Sequence, residues 1–537
     1  MAQEAERINA VFETPKPYTV LKLDSMDLAR FLAGHPQFQA DSTAMLDFYL
    51  SRNYQYAWFS GDTLAPTAEA MLSLLDPSDT NATRPDAWRV LVDQAKADPT
   101  LGDSTRLAVE LGLTGQFFLM AAKEYGGHVQ GDLRELGWYI PRMKKNYTML
   151  LDSLVAGRTD LTSIEPVHPQ YRLLKAWLQR YYHAEAQSPW SAIGPIPAKL
   201  AMGDSLDELR IVRHRLYLLG DLTDDVPDSH MDSALYKALV NFQERHGLKP
   251  AGFPDPPTMA ALNVPIAQRI RTILLNMERL RWVNPDPPKN YLMVNIPEFR
   301  LHVYEDGHEA WSMKVVTGAV ATRTVIFSGE LSNIVFAPYW NVPKSILRNE
   351  IIPAMRRNTN YLARQQMEVV RAGQVVPPGS IDWATTTGAG YSVRQRPGSH
   401  NSLGLVKFLF PNSYDIYLHD TPSKGRFLPE QRAFSHGCIR LAEPKRLAEY
   451  LLRNDSAWTP ANIGKAMHAD KEQFVKVRPP VPVVIGYFTA WEDRLGRLNF
   501  RDDVYGHDAR LATDLFAPET MDAVQAEPAP ANVANTL

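Results

Sequence analysis

The chain's one cysteine lies in Phe434-Ser435-His436-Gly437-Cys438-Ile439-Arg440-Leu441, a window more polar than a core position needs. As a class, a free cysteine is more often a small buried hydrophobe than a nucleophile. Here the neighbours argue for chemistry. A nucleophilic thiol needs a base or cation nearby, backbone donors aimed at an oxyanion, and access to substrate. Two histidines are candidates for the base: His436, and His419, which lies 438 − 419 = 19 residues upstream. Gly437 permits close backbone approach, and Arg440 either adds positive charge to the site or serves as a structural ion-pair partner. His419 ends the strand-like IYLHDTPSK, so a base at a strand end could meet a nucleophile on the next turn. Its blander alternative is a surface histidine paired with Asp420.

Other chemistries fit less well. A metal site built from His419, His436 and Cys438 has spacings that match no usual zinc pattern and shows no carboxylate second shell. No C-G-[SA]-C-[WY] surrounds the cysteine, and the histidine precedes it, which argues against a papain-like protease. The S-x-x-K and K-T-G elements of serine-based D,D-transpeptidases are absent, and Ser51-Arg52-Asn53 is an isolated S-x-N. No G-x-x-x-x-G-K-[ST] loop occurs, so neither a metal nor a nucleotide cofactor is expected.

The chain that must position these groups has 537 residues, enough for about three to four domains at roughly 150 residues each. Hydrophobic residues at 45% and charged residues at 22% are ordinary for a globular chain. A formal net charge of −3 offers no global attraction for nucleic acid or an anionic membrane. One cysteine excludes an internal disulfide, a CxxC pair and an iron-sulfur cluster. No apolar run approaches the ~20 residues of a membrane span. The amino end, MAQEAERINAVFETPKPYTV, contains no apolar signal-peptide region.

Residues 1–30 form an N-terminal arm, and 31–204 read as a scaffold of amphipathic helices. From 205 to 267 the pattern becomes a compact helical unit. Leu235, Leu239 and Phe242 share a face, Gly247 and Leu248 stop that helix, and Asp255-Pro256 starts the next. A linking helix is expected over 268–287. The period then changes. YLMVNIPEFRLHVYEDGHEAWSMKVVTG reads as two strands about Glu305-Asp306-Gly307, and the β-rich pattern continues to 508. A helical insertion is expected at 345–400, and 509–537 is expected to be a disordered tail.

The unit at 205–267 resembles peptidoglycan-binding domains of cell-wall enzymes through Phe242, Gln243, His246, Gly247, Leu248, Gly252, Thr258, Ala261, Leu262 and Asn263. HDTPSK…FSHGCIRL resembles the active-site signature of the YkuD-type L,D-transpeptidase domain. The order of units is similar to that of the large periplasmic L,D-transpeptidases of Gram-negative bacteria. The resemblance implies a multidomain α+β fold: helical scaffold, peptidoglycan-binding-like unit, and a β-rich catalytic domain with a helical cap. It implies Cys438 as nucleophile, His419 as general base and acid held as partner of a Cys438 thiolate, and the Asp420 backbone carbonyl as orienting group. Backbone amides at Gly437 and Cys438 would line the oxyanion hole, and His436 and Arg440 would shape the site. Tyr339, Trp340, Arg394 and Ser435 are candidates to hold the substrate, under a cap closing over the site.

The implied reaction joins peptidoglycan stems. A tetrapeptide donor loses its terminal D-Ala to a cysteine thioester, and a stem amine resolves it, with 3,3 cross-links as product. No cofactor is implied. Cell-wall organisation, cell shape, carbapenem acylation, cell-wall synthesis proteins as partners and a periplasmic location follow from the same resemblance, with an export signal removed from the sequence as given. The competing reading is a peptidoglycan-binding scaffold without catalysis.

Overall fold

The computed structural model describes residues 19–517, apart from 62, 75–84, 98–101, 130, 144, 159–163, 188–189 and 198–199. Helices with a buried stripe open the chain. Helix α1 (Asp103–Gly126) runs through the middle of the first module, with Val109 to Phe118 buried throughout. It carries a charge into that core. Glu110 accepts the amides of Ala57 (2.6 Å) and Trp58 (3.0 Å) and the Tyr49 hydroxyl (2.8 Å). The apolar cluster around it extends only from Leu23 to Leu154.

Helix α2 (Pro169–Gln187), expected to belong to the same scaffold, packs elsewhere. Its buried residues Tyr171, Leu174, Leu178 and Tyr181 join the core shared by the following helical unit and the sheet. Its outer side is tied to the far end of the chain. Trp177 donates to the Glu492 carboxylate at 2.7 Å, and the Gln170 amide exchanges hydrogen bonds with the Glu492 backbone. A buried stripe shows that a helix packs, but not on which core.

The small unit consists of α3 (Glu208–Leu219), α4 (Ser233–Arg245) and α5 (Pro256–Leu262). Asp232 caps α4 and Asp255 caps α5, each accepting a backbone amide three residues on. Leu248 folds back to the Gln243 carbonyl at 2.8 Å. The signature residues are used for holding the fold. Gln243 bonds Phe253, Thr258 and the Gly252 amide, and Asn263 bonds Ile193. His246 is stacked on Phe242, with 3.8 Å between ring centres.

Helix α6 (Ile266–Trp282) is a central strut where a linker was expected, buried at every position from Ile273 to Trp282. Its Glu278 accepts from the His128 and Val129 amides, Trp282 and Arg281, tying the first module to the second core.

Nine strands follow: β1 (Tyr291–Asn295), β2 (Arg300–Glu305), β3 (His308–Gly318), β4 (Phe327–Phe336), β5 (Val406–Leu409), β6 (Leu418–His419), β7 (Ala433–Ser435), β8 (Ile439–Leu441) and β9 (Gln473–Gly486). They form one sheet in the order β7-β3-β8-β6-β5-β4-β9-β1-β2, and pairing of β2 with β3 closes it on itself. The segment read as two strands is three. Pro297 lacks an amide donor and Phe299 adopts φ +56°, so the chain turns between β1 and β2 before the expected hairpin at Asp306-Gly307.

The insertion between β4 and β5 contains helices and, contrary to a purely helical reading, a four-stranded sheet. Its strands are Trp340–Asn341, Ser392–Gln395, Met367–Arg371 and Gln374–Val376. It also has its own apolar core around Leu347, Ile352, Met355 and Val369. At the carboxyl end, residues assigned to a tail form α7 (His507–Leu515), which Arg279 of α6 holds through Asp508 at 2.6 Å. Of the arm expected over 1–30, Leu23 and Leu28 are instead buried in the first core, because they enter and line the helix Ser25–Gly34, while the residues up to 18 and the tail from 518 lie outside the described residues. Among the described residues no helix is long and apolar enough to cross a membrane.

Candidate active site

Strand pleating assembles the site. β6 and β8 are parallel neighbours, with Leu418 opposite Ile439 and His419 opposite Arg440. Side chains alternate between faces along a strand, so Tyr417 and His419 share a face with Cys438 and Arg440. Ile439 donates to the Tyr417 carbonyl at 3.1 Å, which fixes the register next to the thiol. Tyr417 was not singled out in the sequence. Its position two residues before His419 in YDIYLHD was the available signal.

His419 is buried, and its Nδ1 lies 2.5 Å from the Asp420 carbonyl, an acceptor, so that nitrogen carries the proton. The opposite nitrogen, Nε2, is then a lone-pair base. The Asp420 side chain performs a separate task. Its carboxylate accepts the amides of Leu405 (2.9 Å) and Thr421 (2.7 Å) and the ammonium of Lys424 (2.6 Å). A Cβ at Gly404, where φ is +62°, would fall 2.4 Å from that carboxylate, so only glycine fits against it.

Gly437 adopts φ +118°, which turns the backbone sharply before the nucleophile. Ser435 fixes that turn: its hydroxyl donates to the Cys438 carbonyl (2.6 Å) and accepts the Gly437 amide (3.1 Å). Thr324 donates to the Gly437 carbonyl at 2.7 Å. Two expectations change. Ser435 is buried and spent on the turn, so it is no substrate ligand, and the Gly437 amide is committed to Ser435, which leaves the Cys438 amide as the donor beside the thiol.

The Cys438 Sγ is half-buried and donates to the Asp415 carbonyl at 3.5 Å. Burial raises the thiol above the ordinary value of 9.0, against the pull of hydrogen bonds from Tyr417 and the charge of Arg440. Burial and then Arg440 push His419 down to about 4, against backbone hydrogen bonds to Asp420 and Leu403. The resting pair is neutral thiol and neutral imidazole. A preformed thiolate, as expected from the sequence, is not favoured, because neither charged partner is solvated there.

The other predicted residues divide. Arg440 has no ion-pair partner among the described residues, and its Nε is buried without a hydrogen bond. His436 meets the cap, with Nε2 3.3 Å from Glu350, and both side chains are more than half exposed. Glu350 lies on a π-helical turn, Leu347–Ile351. Arg394 bonds Glu368 at 2.5 Å and covers the Tyr339 ring at 4.4 Å, while Trp340 packs on the cap's own core. These contacts place the three residues in the cap and its root.

Among the described residues no cluster of three or more His, Cys, Asp or Glu side chains is arranged to hold a metal. A cavity of about 1020 Å³ opens elsewhere, between α2, the end of α6 and strands β1, β2 and β9. Its buried charges are settled. His302 lies 2.8 Å from Glu298 and 3.2 Å from Glu309, and none of the predicted residues lines it.

Residues 289–483 match the family model of the L,D-transpeptidase catalytic domain, YkuD, which therefore contains the whole constellation. Residues 43–178 match a scaffold domain, and 205–262 a domain described as "Putative peptidoglycan binding domain". A Haemophilus influenzae protein named "Putative L,D-transpeptidase" is 35% identical over 241 residues, 44% of this chain and 48% of that protein. The chain thus spans about half the length of that curated relative. Among solved structures, an L,D-transpeptidase from Stackebrandtia nassauensis aligns at 13% identity, covering 55% of this chain and 98% of its own, with a TM-score of 0.22. One from Xylanimonas cellulosilytica aligns at 16% identity, covering 55% and 100%, with a TM-score of 0.18.

Proposed function

We propose that this chain is an extracytoplasmic L,D-transpeptidase that works through a Cys438 thioester. The observation that carries the reading is the shared face of Tyr417, His419, Cys438 and Arg440, with His419 Nδ1 fixed by the Asp420 carbonyl, inside the matched catalytic stretch. Asp420 orients the base through its backbone, and its carboxylate holds the loop against which His419 packs.

The donor is a tetrapeptide stem of peptidoglycan. Sγ rotates from the Asp415 carbonyl towards Nε2 of His419 and gives up its proton as the carbon-sulfur bond forms at the third residue's carbonyl. Because both partners start neutral, charge develops only during attack, when the substrate has displaced water. The oxyanion takes the Cys438 amide. His419 returns the proton to the departing D-Ala amine, leaving the thioester. An acceptor amine then attacks, its proton passes through His419 back to sulfur, and a new amide replaces the thioester. One amide is exchanged for another, so no nucleotide is consumed. With a second stem as acceptor the product is a 3,3 cross-link.

The chain binds peptidoglycan as substrate, in the periplasm. The signature residues of the small helical unit are occupied in holding its fold, so any glycan contact there is made by other groups. Incubating the protein with disaccharide-tetrapeptide tests the reading: free D-Ala and a cross-linked dimer are the expected products in equal amounts. Absence of both would leave a peptidoglycan-binding scaffold as the better account.

A further inference from the structure

The insertion between β4 and β5 differs from the rest of the chain in charge. From 344 to 396 there are eight Lys or Arg and three Asp or Glu, a formal +5 within a total of −3, so the remainder carries −8. All three carboxylates are engaged. Glu350 meets His436, Glu368 is held by Arg394 and Arg396, and Asp382 accepts the Ala384 amide and the Thr385 hydroxyl. Arg356 donates to the Trp383 carbonyl at 2.8 Å, and Arg371 lies over the Tyr391 ring at 5.5 Å. Four cations remain. Lys344, Arg348, Arg357 and Arg364 are exposed, and among the described residues none of them makes an ion pair.

These cations ride on the helical run 344–357 and on the short helix Tyr361–Arg364. Leu347, Ile351, Ile352, Met355 and Leu362 turn the other side of those helices into the insertion's own core, so the cations are left facing outwards. Lys344 and Arg348, four apart, are neighbours on the helix surface, where like charges cost stability. The same run carries Glu350, whose contact with His436 lies two residues before Cys438, so the cationic helices border the nucleophile's loop.

A protein of net negative charge is repelled by a polyanion unless it presents a local surface of opposite sign. Peptidoglycan is such a polyanion, since its stem peptides carry free carboxylates. We propose that Lys344, Arg348, Arg357 and Arg364 form a docking face for the stem carboxylates of polymeric peptidoglycan, holding the mesh against the cap while one stem enters the site. The inference rests on the transpeptidase reading, which supplies the polymer as partner. Charge sets the approach: the basic cap leads, and the acidic remainder is held away. The face serves capture of the polymer and is not needed for a short soluble donor.

The experiment measures sedimentation of the full chain with purified peptidoglycan, native or with its stem carboxylates amidated. Wild type is compared with a variant carrying Lys344→Gln, Arg348→Gln, Arg357→Gln and Arg364→Gln. A control loses the same charge at exposed positions outside the insertion, through Arg89→Gln, Arg158→Gln, Lys465→Gln and Arg494→Gln. Removing the face is expected to weaken binding to native polymer by about tenfold, and amidating the polymer should do the same to wild type. Wild-type binding should also fall as salt rises, because exposed charges are screened beyond about 8 Å at physiological ionic strength. The control should bind within about twofold of wild type, since its lost charges do not share a face. D-Ala release from soluble disaccharide-tetrapeptide should be equal in all three proteins, which also shows them folded. Undiminished binding by the cap variant, equal weakening in the control, indifference to amidation, or tighter binding to phosphatidylglycerol vesicles than to peptidoglycan would overturn the proposal. Absence of D-Ala release in all three would instead overturn the transpeptidase reading, and the polymer's role as partner with it.

Discussion

The first helical module and the sheet each bury ionisable groups, and they treat them in opposite ways. Glu110 on α1 has two backbone amides and a tyrosine hydroxyl, and burial still lifts it to about 7. These three donors make it a bracket holding residues 57–58 on the helix. At the sheet, His419 is pushed down to about 4, the Cys438 thiol is pushed up, and Arg440 retains an unmet Nε. Burial alone therefore does not mark a site. A nucleophile and a base on one face of the sheet do.

The contrast can be broken by substitution on either side. The largest effect is expected at the sheet: His419→Gln should lower kcat/KM for D-Ala release on the order of 10²–10⁴-fold, the usual contribution of a general base, with folding retained. Steady-state kinetics and a thermal melt check it. At the module the expectation reverses. Glu110→Ala strands two buried amides and should cost on the order of 3 kcal/mol in chemical denaturation while leaving thiol chemistry unchanged. Loss of D-Ala release in that variant at temperatures where it stays folded would erase the distinction.

Smaller effects sharpen it. Tyr417→Phe removes a hydrogen bond to the thiol and should change kcat/KM by about fivefold, because the bond is worth about 1 kcal/mol and must be remade during attack. pH separates the regions by sign. The folded value of Glu110, about 7, lies above its ordinary 4.5, so its contribution is full below 4.5 and is lost as pH rises through 7. The folded value of His419, about 4, lies below its ordinary 6.5, so its contribution is full above 6.5 and is lost as pH falls through 4. Hydrogen exchange at residues 49–58 should therefore quicken towards alkaline pH, and exchange at residues 417–419 towards acid. The smallest change is expected for Glu350→Gln, which removes an exposed ion pair to His436 worth less than about 1 kcal/mol. Its readout is a slight rise in protease sensitivity of the cap.

Much of this was legible in the chain. Cys438 and His419 stand out because a polar window around a lone cysteine and a histidine at a strand end are both local features. The caps Asp232 and Asp255 and the stop at Gly247 are local too, and the helical unit follows them. What was missed depends on long-range packing. The stripe of α2 does not say that its partners are α6 and residue 492. The cap's strands are short and broken at Ala372-Gly373, so they read as part of a helical insertion. Ser435 looked like a ligand because a hydroxyl beside a nucleophile often is one, whereas the turn at Gly437 consumes it.

The central claim is that Cys438 carries the donor as a thioester. Intact mass measurement after mixing with disaccharide-tetrapeptide, quenched in acid, tests it most directly. The account predicts a mass gain equal to the donor less D-Ala, abolished in Cys438→Ala. No adduct in the native protein, or one that survives the substitution, would contradict it.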